Sequence, residues 1–245
     1  MAVTQESTIG QLVAERPARA RVFQSFEIDF CCGGGKTIAE ACQAKGINPK
    51  IVLDMIGIVD EKPSAEERDW TQATMTELCD NIESTHHDYL KRELPRLEFM
   101  ARKVADRHGS HTPHLIELRD IVLAVKAELE SHMAKEEQVL FPICRQMDTA
   151  KEAFAVHCGS VQNPIRVMIQ EHDDAGDALE RMRALTSGYT PPADACNTYR
   201  ACFDGLAEFE RDMHRHVHKE NSVLFPKAVE AEQALRNGTA AAAAR

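Results

Sequence analysis

Between residues 71 and 235 the apolar positions recur at spacings of three and four, the pattern of helices that bury one face. Met75, Leu78, Cys79, Ile82, Leu90, Leu94 and Leu97 mark a first helix, which Pro95 is expected to bend. RHGSHTPH breaks the pattern, and a second helix follows through Leu118, Val122, Val125, Leu129, Leu140 and Ile143. A third carries Ile165, Met168, Ile169, Gly176, Leu179 and Met182. SGYTPPAD reads as a loop with a helix cap expected at Thr190, and the fourth helix holds Tyr199, Cys202, Phe203, Leu206, Phe209, Met213, Val223 and Leu224. No run alternates as strands do. Long helices with short joins predict an all-α protein built on a four-helix bundle.

Residues 1–58 follow a different pattern. Ile9, Leu12, Val13, Ala20, Val22, Phe23 and Phe26 suit two short helices, Pro17 opening the second. Three glycines then lead into Ile38, Ala41 and Cys42, and a further short helix is expected near Pro49 to Ile58. The charged stretch EKPSAEERDW reads as a connection. The expected organisation is a helical N-terminal domain over 1–58, a linker over 59–70, the bundle over 71–235 and a disordered tail over 236–245.

The bundle's polar residues repeat. HMAKEEQVLFP begins at His132 and HVHKENSVLFP at His216, so His132 and Glu136 correspond to His216 and Glu220. A His-Asp step precedes each copy, His87-Asp88 by forty-five residues and His172-Asp173 by forty-four. Positions four apart share a helix face, so an imidazole and a carboxylate can reach one centre together. Four His and two Glu on apolar stripes form a di-metal constellation: His87, His132, Glu136, His172, His216 and Glu220. His86 fits the stripe through Ile82 and Leu90, but His87 matches the His-Asp step and is preferred. Two cations would match the charge of the buried carboxylates. Imidazole and carboxylate suit iron or manganese better than a thiolate set would. With both Glu bridging and a solvent-derived oxo or hydroxo bridge, each metal keeps an open position. Glu128, one turn before His132, and Glu171, beside His172, could accept a hydrogen bond from a ligand's second nitrogen or supply protons. His108, His111 and His114 read as surface residues.

Composition narrows the classes. A formal charge of −10 without a basic block argues against nucleic-acid binding. The polar start MAVTQESTIG offers no signal peptide, and no apolar run approaches a membrane span. Eight scattered cysteines are simplest as reduced thiols in the cytoplasm. Cys31-Cys32 stands apart: near Lys36 and an expected helix start, one thiol should ionise readily, and the pair could pass electrons or hold iron transiently. GGGKT is no nucleotide loop, since its first glycine would fall at Phe30.

The combination DFCCGG at Asp29, the His-Asp step at His87, HMAKEE at His132, EHDDAG at Glu171 and HxxxENxVLFP at His216 resembles the RIC (repair of iron centres) family, the YtfE/ScdA/NorA group, over nearly the whole chain. The resemblance implies a hemerythrin-like bundle holding two non-heme iron ions behind a Cys-Cys-bearing N-terminal domain. It implies repair of iron–sulfur clusters damaged by nitrosative or oxidative stress, with damaged iron–sulfur proteins, nitric oxide and a reductant as partners. Enzymatic reduction of nitric oxide is the alternative, and an NO or O2 sensor a weaker third reading. The symmetric four-His, two-Glu set speaks against reversible oxygen transport. Oligomeric state is left open, a homodimer included.

Overall fold

A computed structural model describes residues 3–61, 68–154 and 156–243, with side chains described to residue 238. Residues 62–67 of the expected linker lie outside the described residues. Among the described residues there is no strand, only an isolated bridge between Thr8 and Thr37. None of their helices is long and apolar enough to cross a membrane. The chain divides into two compact units, one of Met1–Cys79, Cys144–Ala155 and His214–Arg245, the other of Asp80–Ile143 and Val156–Met213.

The first unit contains α1 (Ile9–Glu15), α2 (Ala20–Ser25), α3 (Ile38–Lys45) and α4 (Pro49–Asp60). Pro17 opens a 3-10 turn over Pro17–Arg19 that leads into α2. Ile9, Leu12, Val13, Val22, Phe23, Phe30, Ile38, Cys42, Val52 and Ile56 form its core. The last two of these helices are delimited by their caps. Thr37 and Glu40 close a reciprocal capping box on α3, Gly46 ends that helix at φ 66°, and Asn48 with Pro49 starts α4. Buried Arg19 ties the elements together, donating to Leu12 O at 3.1 Å and to Asp60 at 2.7 and 3.0 Å.

The second unit takes its core from α6 (Asp88–His108), α7 (His114–Lys135), α9 (Gln162–Leu185) and most of α10 (Asn197–Lys219). The apolar stripes close on one another: Leu90, Leu94 and Leu97, Leu118, Val122 and Val125, Met168, Leu179 and Met182, Phe203, Leu206 and Phe209 are all buried. This is the four-helix bundle. Helix α6 passes through Pro95 on its exposed side, where water can serve the carbonyl that the proline leaves without a donor.

Several expectations need correcting. Ile169 is 39% exposed and so lies off the buried stripe. Thr190 caps nothing; α10 begins at Asn197, after the carbonyl of Cys196 accepts from Arg200 N at 3.0 Å. The stretch from Arg236, expected as a disordered tail, continues α11 (Phe225–Ala243), in keeping with alanine's leading helix propensity.

Among the described residues the register of the long helices is interrupted by three π turns, Glu83–His87 between α5 (Met75–Ile82) and α6, Glu136–Leu140 between α7 and α8 (Phe141–Thr149), and Glu220–Leu224 between α10 and α11. The last two are the copies of one sequence, and each ends two residues before a proline, Pro142 or Pro226. A proline ring crowds the carbonyl four residues back and offers it no N–H, so a widened turn there relieves both defects.

In the first unit Gly34 O accepts from Gly10 N at 2.8 Å. A Cβ on Gly34 would stand 2.7 Å from Phe30 O and 3.1 Å from Gly10 Cα, both backbone, whereas one on Gly35 would meet nothing within 4 Å. Gly34→Ala should therefore cost about 1–3 kcal/mol in denaturant unfolding, and Gly35→Ala should stay within about 0.5 kcal/mol of the parent.

Candidate metal centre

Of the six expected ligands, His87, His132, Glu136 and His172 lie in the bundle unit, and His216 and Glu220 in the other. All six are 0–2% exposed. In the bundle unit the four converge. His87 Nε2 and His132 Nε2 each lie 3.3 Å from the same oxygen, Glu136 Oε2. His172 Nε2 faces His132 Nε2 at 3.2 Å, the two rings tilted with centroids 4.9 Å apart. His87 is stacked on buried Phe141, with ring centroids 5.6 Å apart. In the other unit, His216 Nε2 and Glu220 Oε1 are 3.0 Å apart.

Which nitrogen carries the proton follows from the outer partners. His87 Nδ1 lies 2.8 Å from Glu137 Oε1, and His132 Nδ1 2.9 Å from Glu171 Oε2. Each carboxylate is also bound by a lysine, Lys91 for Glu137 and Lys135 for Glu171. Burial pushes both carboxyls up, but the hydrogen bonds from lysine and histidine outweigh it and hold them below the ordinary range. An ionised carboxylate only accepts, so Nδ1 is a protonated nitrogen of each ring, and in the neutral imidazole, the form that binds a metal, Nε2 is the bare one. Two bare nitrogens thus point at one carboxylate oxygen. In that form lone pair faces lone pair and repels, and a cation among them would turn the repulsion into coordination. The donor set of imidazole nitrogen and carboxylate oxygen fits iron or manganese.

The remaining expectations divide. Glu171 stands on His132. Glu128 is exposed and makes no hydrogen bond to His132; the two residues share the lining of a pocket of about 390 Å³ with Lys135 and Glu171. His86 turns to a different partner, Asp212, at 3.0 and 3.1 Å, both residues being buried. Of the loop histidines, His111 and His114 are exposed, while His108 is half-buried. Sequence reasoning missed Glu137. Its signal was the doubled Glu of HMAKEE, where the second residue projects about a quarter-turn round from the ligand, toward a neighbouring helix.

The cysteine pair differs from expectation in its distance from a helix start. Asp29 organises the loop, its carboxylate accepting from the N–H groups of Cys31, Cys32 and Gly33 at 2.8, 3.1 and 2.7 Å and facing Cys31 Sγ at 3.0 Å. The two sulfurs are 4.0 Å apart. Helix α3 begins only after Thr37, so neither thiol stands at its N-terminus. The neighbouring Cys32, burial and the Asp29 charge push the Cys31 thiol well up, so Cys31 stays protonated. Asp29, Cys31 and Cys32 nevertheless offer three ligand atoms within 4.8 Å of one another.

This loop is fastened to the helix turn that carries His216. His218 Nδ1 donates to Phe30 O at 3.1 Å, and burial pushes its imidazole down to about 4. His214 meets the same Phe30 edge-on, with centroids 5.9 Å apart.

Comparison with known proteins matches two families along the chain. The family model described as the hemerythrin HHE cation-binding domain matches residues 80–228, and the ScdA_N domain, described as of unknown function, matches residues 5–59. The chain is 36% identical to the iron–sulfur cluster repair protein YtfE of Edwardsiella ictaluri over 92% of its length and 97% of that protein. It is 34% identical to a probable iron–sulfur cluster repair protein of Haemophilus influenzae, covering 91% of this chain and 97% of the other. An Escherichia coli YtfE is 33% identical, over 93% and 99% respectively.

The outer partners can be tested separately from the ligands. Glu137→Leu should weaken iron binding by about 10–100-fold in a chelator competition titration. Glu128→Leu, which removes no contact to a ligand, should bind iron as the parent does.

Proposed function

From the premise that the chain belongs to the YtfE family of iron–sulfur cluster repair proteins, we propose that it is a non-heme di-iron protein that restores clusters damaged by nitrosative or oxidative stress. The observation that carries this reading is the pair of bare imidazole nitrogens aimed at Glu136 Oε2 in a site with almost no solvent exposure. The ligand set is His87, His132, Glu136, His172, His216 and Glu220. Its support is the sequence repeat, the burial of every member and a hemerythrin match whose residues 80–228 include all six.

An iron pair held by these residues would supply redox capacity and a place for a small diatomic ligand such as nitric oxide. The chain's own residues do the rest. Glu137 and Glu171 keep the protons of His87 and His132 on Nδ1, so that Nε2 is always presented inward. Lys91 and Lys135 are half exposed or nearly so and connect those carboxylates to solvent, which gives protons a way to the edge of the site. Leu90, Leu129 and Phe141, all within 4% of full burial, exclude bulk water.

Cys31 and Cys32 are the proposed thiol partners in iron transfer or electron delivery. Their support is Asp29 as a third donor and the fastening of Phe30 to the helix turn that bears His216. All eight cysteines are free thiols, which suits a cytoplasmic setting with a cellular reductant and damaged iron–sulfur proteins as partners. Nitric oxide reduction is the alternative for the same site, and assembly as a homodimer is compatible with either.

Iron content and thermal melting test the ligand set. Glu136→Ala and Glu220→Ala should each lower iron affinity by more than about 100-fold, beyond the effect of an outer partner, and should lose the rise in melting temperature that iron gives the parent. Parental iron content in both variants would remove these residues from the set. The function is tested by restoring activity to a hydratase whose cluster has been damaged by nitric oxide. Reactivation without gas turnover supports repair; steady nitrous oxide release by the reduced protein supports the reductase. In that assay the Cys31→Ala, Cys32→Ala double variant should keep its iron and lose reactivation.

A further inference from the structure

The bundle unit holds a second reactive group whose surroundings have nothing to do with iron. Along α6, Phe99, Arg102, Lys103, Asp106 and Arg107 line an open pocket of about 660 Å³, and Cys196 completes it. Cys196 is exposed, whereas the other seven cysteines are buried or half-buried. Its sulfur lies 3.5 Å from His108 Nε2, within reach for the imidazole to take the thiol proton. The imidazole is held in place by Tyr199, whose ring centre is 5.4 Å away and which is only 3% exposed.

Charge in the pocket is one-sided. Three cations face one acid in a chain whose formal charge is −10. Arg102 is partly neutralised by Glu98 at 2.9 Å, and Lys103 lies over the Phe99 ring at 5.8 Å. Cys196 also directly precedes α10, a helix of 23 residues whose dipole favours negative charge at this end. Phe99, 63% exposed, adds an apolar platform beside the cations.

We propose that Cys196 is a thiol-modification site selective for small, negatively charged disulfides, such as carboxylate-bearing peptide disulfides. The Cys196 sulfur attacks one sulfur of the reagent and its proton passes to His108. A new S–S bond forms as the reagent's own S–S bond breaks, and the departing half takes up the proton and leaves as a thiol. The protein ends as a mixed disulfide, with no electrons gained or lost by the pair of reactants together. The cations receive the reagent's carboxylates and Phe99 covers its apolar part. The proposal does not rest on the iron reading.

The test uses the full iron-loaded chain, with oxidised glutathione as the anionic disulfide and cystamine as the cationic one. Peptide mass spectrometry follows the adduct at Cys196. At low salt the anionic reagent should react at least about tenfold faster, and its advantage should shrink as salt is added. The Arg102→Gln, Lys103→Gln, Arg107→Gln variant should lose the preference while keeping Cys196 reactive. His108→Asn should slow both reagents. Equal rates for the two disulfides in the parent, a preference indifferent to salt, or faster adduct formation at Cys32 or Cys158 would overturn the proposal. The salt dependence is read on the parent alone, so it stands whether or not a variant folds.

Discussion

Everything in the bundle unit is arranged round an electrostatic conflict at one oxygen. Glu136 Oε2 has the bare nitrogens of His87 and His132 at 3.3 Å each, in a site that excludes water. Acceptors do not collect like this for packing, because hydrophobic residues of the same volume would do that without the cost of desolvation. The conflict is also maintained by the protein. Glu137 and Glu171 fix the tautomers from outside, and each is itself held ionised by a lysine. The two arms are built alike: imidazole, carboxylate, ammonium, in order from the interior to the solvent. Such an arm determines which nitrogen faces inward before any cation arrives.

The local backbone is shaped by the same residues. Glu136 and Glu220 each open a π turn, and His87 closes the third. A π turn adds one residue to the helical repeat, so it rotates the helix beyond it relative to the helix before it. The residues before each widened turn can therefore keep the bundle's register, while those after it begin a new buried stripe, as Phe141 and Cys144 do in α8. The spacing that the two sequence copies share, Val-Leu-Phe-Pro after each Glu, is thus a backbone instruction as much as a packing one. Proline supplies the reason for the turn, and the glutamate at its start occupies the inward position.

How much of this could be read from the sequence depended on whether the signal was periodic. The stripes through Leu90 to Leu97 and Leu118 to Leu129 were legible because burial on a helix repeats every three or four residues. The four histidines and two glutamates stood out because they interrupt those stripes in register. Glu137 did not stand out, since its partner His87 is fifty residues away and no spacing rule connects them. His86 finding Asp212, 126 residues on, was invisible for the same reason. The π turns were missed because an i, i+4 template tolerates one extra residue without an obvious break. That Asp29, and not only Lys36, stands beside the cysteine pair was also out of reach, because the turn that brings its carboxylate to Cys31 Sγ leaves no periodic signal.

The cysteine loop shows why proximity to a functional helix can be structural in origin and still matter chemically. Cys31 follows Phe30, whose carbonyl is held by His218 and whose ring meets His214, two residues either side of His216. From the other side, a Cβ on Gly10 would stand 3.0 Å from Gly34 O and 2.6 Å from Ser222 Oγ, the latter within the π turn that Glu220 begins. One turn of helix therefore presents His216 and Glu220 and clamps the loop bearing the thiols. A shift of that turn must be felt at Phe30, because the buried contacts between them leave no slack. The glycines permit this close approach: a Cβ on Gly34 would press on Phe30 O and on the Gly10 backbone, within the loop that carries the sulfur atoms.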